Sequence, residues 1–352
     1  MATQPLSDYA EQQRARVLCV SDRLANLAVS DDPQHYPRST TTWSLEDFKK
    51  DFKVKINRLT KHRIEFDLIG VDVSVANALR RIMIDEIPTI AIERVYVMNN
   101  TSVIQDDALV QRLALIPIKA CPASFGYKTD HKGNPSELNT VFFKLKKECQ
   151  RNPEAVDQET NPYELYINSH VYSGDLVWEP WGNQGERFVD DPIRPVQDDI
   201  LIAKLRPGQE IDMEIHCTKG LGKDHAKWSP VATASYRLLP EINILQPIKG
   251  DDAIKFKNCF PEGVVALVKD DDEETMAKIV NPRKDTVVNK EVLRHKEFDN
   301  KVQLTRVYDH FIFNVESTGI IPPEEIFPLA VSILFQKVGI IQSNLEKLII
   351  SH

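Results

Sequence analysis

Four acidic clusters could do chemistry: Asp31 and Asp32 before Pro33, Asp106 with Asp107, Asp198 with Asp199, and the run from Asp270 to Glu274. Paired carboxylates offer oxygen ligands to a hard divalent cation, the first requirement of a polymerase, nuclease or metal-dependent hydrolase site. Each cluster, however, stands in turn or loop chemistry, where charge runs mark solvated faces rather than converging ligands. A second candidate is KGLGKDHAKWSP, Lys219 to Pro230, in which Lys219, Lys223 and Lys227 surround Gly220 and Gly222. Glycine lets backbone amides approach a phosphate, but the spacing does not match GxxxxGK[ST], nor does a helix clearly follow. A structured loop against a protein neighbour suits this composition better. His216, Cys217 and His225 are close in sequence without a second ligand pair at metal-finger spacing. Cys19, Cys121, Cys149, Cys217 and Cys259 are scattered with no CxxC pair, so they read as small buried hydrophobes rather than a disulfide framework or thiolate zinc site. No serine sits in GxSxG.

The chain of 352 residues is 42% hydrophobic and 27% charged, enough apolar material for two domains. Its net charge of -8 argues against a surface that grips a nucleic-acid backbone, although a local basic patch is compatible with that average. No stretch reads as a run of about 20 uncharged apolar residues, and the amino terminus lacks a signal-peptide core, so a soluble intracellular protein is expected.

The elements that must position any site come next. Residues 1–42 are polar and read as a flexible or partner-docked arm. FKVKINRLTKHRIEFDLIGV alternates apolar and polar residues about a turn at Thr60 to His62, a hairpin pattern. Asp72 or Ser74 can cap a following helix that Pro88 ends near Ile87. TIAIERVYVMNN reads as a strand, QDDALVQRLALIPI as a short helix, and the next hundred residues as strands and loops. Two further strands flank the turn at Pro207-Gly208. ATASYRLLPEINI and VYDHFIFNVESTG are strands, with the charged segment VKDDDEETMAKIVNPRKD between them read as a loop. A long helix opened by prolines and acidic residues closes the chain.

Two helices carry more apolar surface than one core-facing stripe requires. At about 100° per residue, Val75, Ala78, Leu79, Ile82 and Met83 form one stripe of the opening helix, while Val73, Ala76, Ile84 and Ile87 lie nearly opposite, with Arg80 among them. In the terminal helix Ile326, Ala330, Ile333, Leu334, Ile341, Leu345 and Leu348 lie together, and Val331, Phe335, Val338 and Ile349 widen the arc. Either other parts of the chain cover this surplus or a second subunit does. Arg80 and Arg81 point about 100° apart; a guanidinium in an apolar patch suits a fork-like contact with a partner, and two solvated arginines are the plainer alternative.

These residues carry a family resemblance. NALRRIMIDEIPTIAIERVYVMNNTSVIQDDALVQRLALIPI, residues 77 to 118, resembles the α-type assembly subunits of cellular RNA polymerases, bacterial, archaeal and eukaryotic. KGLGKDHAKWSPVATASYRLLPEI, residues 219 to 242, is similar to the larger α-like branch shared by polymerases I and III rather than its polymerase II counterpart. The resemblance runs from about Trp43 to the end. It implies an α+β fold: a split dimerisation domain, residues 43–90 and 229–352, with an antiparallel sheet and two packing helices, interrupted by an inserted, mainly β domain at 91–228.

It further implies a non-catalytic scaffold that heterodimerises with a smaller α-like subunit and supports the two large catalytic subunits in rRNA, 5S rRNA and tRNA transcription, in the nucleus including the nucleolus. Val75, Leu79, Ile82, Met83, Ile326, Ala330, Ile333, Leu334, Ile341 and Leu345 are then the expected heterodimer interface. Arg80, Arg81, Lys223, His225 and Lys227 are expected to face a large subunit. Family members with a metal site carry a cysteine cluster in the inserted domain that Cys121, Cys149 and Cys217 do not reproduce, so no metal or cofactor is expected. Sequence-specific nucleic-acid contact and membrane association are not expected either.

Overall fold

The computed structural model describes residues 16–19, 24–25, 44–128, 135–155, 161–269, 274–285 and 290–350. It is α+β with antiparallel sheets, and its backbone groups into two compact units. One comprises Met1–Asn57, Glu65–Ala76 and Ser235–Phe313; the other comprises Arg58–Ile64, Asn77–Ala234 and Asn314–His352. This grouping cuts across the boundaries expected from sequence, because it places the terminal helix with residues 77–234.

The first unit is built on a six-stranded sheet in the order Leu24–Ala25, Arg16–Cys19, Val302–Ser317, Arg63–Ile69, Lys53–Leu59, with Val231–Ile244 also paired to Val302–Ser317. Alternating apolar residues explain the long strand: Phe311 and Phe313 are fully buried, Phe66 stacks on Phe313 with ring centroids 5.0 Å apart, and Tyr236 meets Phe311 edge-on at 5.2 Å. A partly buried charge cluster around the buried Asp67 braces the same unit. Arg283 donates from Nη1 to both Asp67 oxygens at 2.8 Å and from Nη2 to Glu65 Oε1 at 2.6 Å. His310 Nε2 lies 3.1 Å from Asp67 Oδ2 without meeting hydrogen-bond geometry. Burial pushes the Asp67 carboxyl up, but contacts from Arg283, His310 and Asn57 outweigh it and hold the group below the usual carboxylate range.

Two expectations change here. Part of the polar arm is a strand of the chain's own sheet, with Arg16 opposite Val307, Val17 opposite Arg306 and Leu18 opposite Thr305. Val17 and Cys19 are buried, and Leu24–Ala25 pairs with the same strand; the rest of residues 1–42 lies outside the described residues. The charged segment is no simple loop either. Val265–Lys269 and Thr275–Ile279 form an antiparallel ladder from Val265 opposite Ile279 to Lys269 opposite Thr275. Residues 270–273 between them lie outside the described residues. The helix Asp251–Asn258, which the sequence patterns do not indicate, buries Ala253 and Phe256, with its acidic residues in the first turn and Lys255 and Lys257 in the last, as the helix dipole favours.

The second unit contains a four-stranded sheet in the order Val177–Glu179, Thr140–Glu148, Glu210–Gly220, Thr89–Asn100. The last two pair antiparallel from Ile211 opposite Asn100 to Gly220 opposite Thr89. Ile211, Met213, Ile215 and Cys217 alternate inward from one strand, and Val141, Phe143 and Leu145 from its neighbour. They share one core with Leu109 and Leu113 of the helix Asp106–Ala114. The turn between Leu201–Lys204 and Glu210–Gly220 needs Gly208, whose φ of +84° is open to glycine.

The opening helix, Val73–Asp85, starts where Asp72 Oδ1 accepts from the Ser74 amide at 2.8 Å and hydroxyl at 2.6 Å. The terminal helix runs from Pro323 to Ile350. Contrary to expectation, it is long and apolar enough to cross a bilayer by length and composition, because Lys337 is the one charged residue between Ile326 and Leu345.

Candidate assembly interface

The doubled apolar stripe of the opening helix resolves into one broad arc. Ala76, Leu79, Ile82 and Met83 are buried, as is Ile87 just beyond the helix, whereas Val73 and Val75 in the first turn are exposed. Ala76 and Ile87 from one predicted stripe adjoin Leu79 and Met83 from the other on the wheel, so a single arc of roughly 140° accounts for all of them. This corrects part of the expected interface. Leu79 at 4% exposure, Ile82 and Met83 are covered by the chain itself, as are Ile326 and Ala330 of the terminal helix. They are core residues and offer a partner no accessible surface.

The uncovered apolar surface lies further along the terminal helix. Ile333 and Leu334 are half-buried, and from Phe335 to Leu348 every residue is exposed. Phe335 is 78% exposed, Ile341 60%, and Val338, Ile340, Leu345 and Leu348 are comparable. Burying a large apolar side chain is worth up to about 1.5–3 kcal/mol, much of which these mostly exposed residues forgo over several helical turns. Of the expected interface residues, Val75, Ile341 and Leu345 are exposed and available. Leu348 of the expected stripe and Phe335 and Val338 of its widened arc join them, as does Ile340, which the helical period does not single out.

Where the terminal helix loses cover, Lys337 Nζ donates to both Glu86 oxygens at 2.7 and 2.9 Å. Glu86 directly follows the opening helix, and its own amide donates to Ile82 O at 3.0 Å. The pair ties the two helices together at that point.

The expected large-subunit residues separate into two kinds. Arg80 is half-buried and donates from Nε and Nη2 to Asn77 Oδ1 at 3.1 and 2.9 Å, so its fork is held by its own helix; Arg81 is exposed. Lys223 and His225 have exposed side chains, and the Lys223 amide donates to Asp85 O at 3.0 Å, which seats the KGLGKDHAKWSP loop on the end of the opening helix. Lys227 departs from the expectation. Its side chain is only 10% exposed, paired with Glu93, donating to Ile92 O at 2.9 Å and lying 4.3 Å over the Trp228 ring. It braces the loop from within.

The glycines of this loop serve close packing. A Cβ on Gly222 would stand 2.3 Å from Ile84 O, and one on Gly220 would stand 2.3 Å from the Trp228 ring. Trp228 is locked in turn by donating to Thr218 O at 3.1 Å and accepting from Thr89 Oγ1 at 2.6 Å. Lys219 donates to Phe125 O at 3.0 Å and lies 4.8 Å from the Tyr127 ring; burial lowers its affinity for a proton. With Lys219 and Lys227 committed to internal contacts, the loop loses most of the charge that a phosphate cradle needs.

Among the described residues no group of three or more His, Cys, Asp or Glu side chains is placed to hold a metal ion. Cys19, Cys149, Cys217 and Cys259 are buried and Cys121 is exposed, all as free thiols, and burial pushes the Cys217 thiol far up.

Comparison with known sequences adds a family context. The RNA polymerase Rpb3/Rpb11 dimerisation domain matches residues 65–338. The chain is 50% identical over 319 residues to DNA-directed RNA polymerases I and III subunit RPAC1 of Saccharomyces cerevisiae, covering 90% of this chain and 94% of that one. It is 45% identical over 327 residues to the RPAC1 subunit of Bos taurus, covering 93% and 94%. Subunit 3 of DNA-directed RNA polymerases II, IV and V of Arabidopsis thaliana is 32% identical over 302 residues, covering 82% and 90%.

Proposed function

The chain belongs to the RNA polymerase Rpb3/Rpb11 dimerisation-domain family, and from that premise we propose that it is an assembly subunit of RNA polymerases I and III. It works in the nucleus, as part of a DNA-directed RNA polymerase. It heterodimerises with a smaller α-like subunit, and the pair is the platform on which the two large subunits gather. Nucleotidyl transfer resides in those large subunits, and this chain contributes pre-organised surface to complexes that make rRNA, 5S rRNA and tRNA, in the nucleolus as well as the nucleoplasm. Residues 43–90 and 229–352 form the dimerisation half, and 91–228 the insertion.

The observation that carries this reading is the exposed apolar stretch Phe335–Leu348, which begins within the matched dimerisation domain and continues past residue 338. Burial there supplies affinity at about 25 cal/mol per Å² before association costs. Val75, Ile341 and Leu345 together with Phe335 and Val338 face the smaller subunit, and Arg81, Lys223 and His225 face a large one, where polar contacts set register and partner choice. Purification of a tagged chain from its native cell, with identification of what co-elutes, tests this. Recovery of the smaller subunit and both large subunits of each polymerase is expected; recovery of the chain free of large polymerase subunits would overturn the proposal.

A further inference from the structure

The helix Leu45–Asp51 buries no residue, and every residue of the strand Lys53–Leu59 is exposed. That is unusual for a strand bonded into a sheet, since the neighbouring Arg63–Ile69 buries Ile64, Phe66, Asp67 and Leu68. Lys53–Leu59 ends the strand order, so among the described residues its outer edge has no partner. Along it Val54 and Ile56, the latter 57% exposed, alternate with Lys53 and Lys55, and therefore point to opposite faces. Phe48 to Asn57, FKKDFKVKIN, sets Lys49, Lys50, Lys53 and Lys55 against Asp51 alone, in a chain of net charge -8. None of these four lysines joins an ion pair among the described residues.

We propose that the Lys53–Asn57 edge receives an extended strand from a protein partner whose side chains alternate acidic and apolar. An open edge presents unpaired N–H and C=O groups that such a strand satisfies as it adds to the sheet. Its acidic residues fall beside Lys53 and Lys55, and its apolar residues beside Val54 and Ile56, the cross-strand pairs that stabilise an added strand. The lysines also make the edge selective. A second copy of the same strand brings like charges opposite one another and is refused. A nucleic-acid backbone satisfies the lysines but leaves Val54, Ile56 and the backbone edge without partners.

Fluorescence anisotropy of a dye-labelled peptide alternating glutamate and valine, titrated with the full-length chain, tests the assignment. Saturable binding is expected, weakened about tenfold or more when the same residues are arranged in blocks or when alternate peptide amides are N-methylated. Lys53→Glu with Lys55→Glu should abolish it and create binding to a lysine–valine peptide, while Lys204→Glu, an exposed charge reversal elsewhere, leaves it unchanged. The N-methylated peptide keeps the test decisive should the double variant fold poorly. Equal binding of blocked and alternating peptides, indifference to N-methylation, absence of binding, or displacement by a single-stranded oligonucleotide that the chain prefers would each overturn the proposal.

Discussion

The sheet around Phe143 and the terminal helix beyond Leu334 belong to the same compact unit and are both rich in large apolar side chains, yet one is sealed and the other bare. In the sheet, the inward residues share one buried core with Leu109 and Leu113 of the helix Asp106–Ala114, so the chain supplies both layers of that core. In the helix, Ile326 and Ala330 find such a layer, Ile333 and Leu334 half find it, and from Phe335 onward there is none. The difference is therefore one of coverage rather than composition, and it separates residues that hold the fold from residues that hold a partner.

Substitutions that exchange the two roles test the distinction. Leu79→Asp places a charge in a fully covered site and should cost about 4 kcal/mol or more, so the chain should fail to give a cooperative melt. Phe143→Ala leaves a cavity in the sheet core and should lower stability by about 3–5 kcal/mol in urea titration, with partner capture intact in whatever fraction remains folded. Ile341→Asp should do the opposite, leaving the melt of the isolated chain unchanged while weakening capture of the smaller subunit by about 2–4 kcal/mol in competition binding. An unaltered affinity for this variant would mean that the bare helix is not the docking surface.

Two smaller effects sharpen the picture. Asp67→Asn should cost about 2–3 kcal/mol at neutral pH, because it leaves Arg283 with a weakened partner. The Asp67 carboxyl titrates below its ordinary 3.8 in the folded chain, so its contribution is complete above the unfolded value and disappears as pH falls through the lower, folded one. The stability curves of the two proteins should thus converge in acid, and parallel curves down to the lowest pH would remove Asp67 from that role. Glu86→Gln should change stability by no more than about 1 kcal/mol, since Glu86 and Lys337 are partly solvated.

Much of this organisation was legible in the chain. The hairpin, the Asp72 cap, the strand Thr89–Asn100 and the terminal helix follow from local chemistry: two-residue alternation, a side-chain oxygen at a helix start, and prolines at helix boundaries. The pairing of Val17 with Arg306 was not, because a short strand in a polar arm acquires its reason from a strand nearly three hundred residues away. The roles of Leu79 and Lys227 were misread on the same ground. Helical spacing shows that a residue faces something apolar, but not whether that surface belongs to the same chain. The sequence of Lys227 among glycines suggests an anion site until Glu93, Ile92 and Trp228 are seen to enclose it. Gly220 and Gly222 likewise needed the neighbours Trp228 and Ile84 before their purpose was plain.

Lys337 stands at the midpoint of Pro323–Ile350. To the cellular machinery that sorts newly made apolar helices into lipid, a segment of this length is a candidate for insertion. An ammonium at the centre of such a segment sits at the depth where a bilayer tolerates it least, at a penalty of about 2.5–3.5 kcal/mol on the insertion scale. In water the same ammonium needs nothing more than Glu86. One side chain at mid-helix thus weighs against burial of this segment in lipid and finds its counter-charge in water.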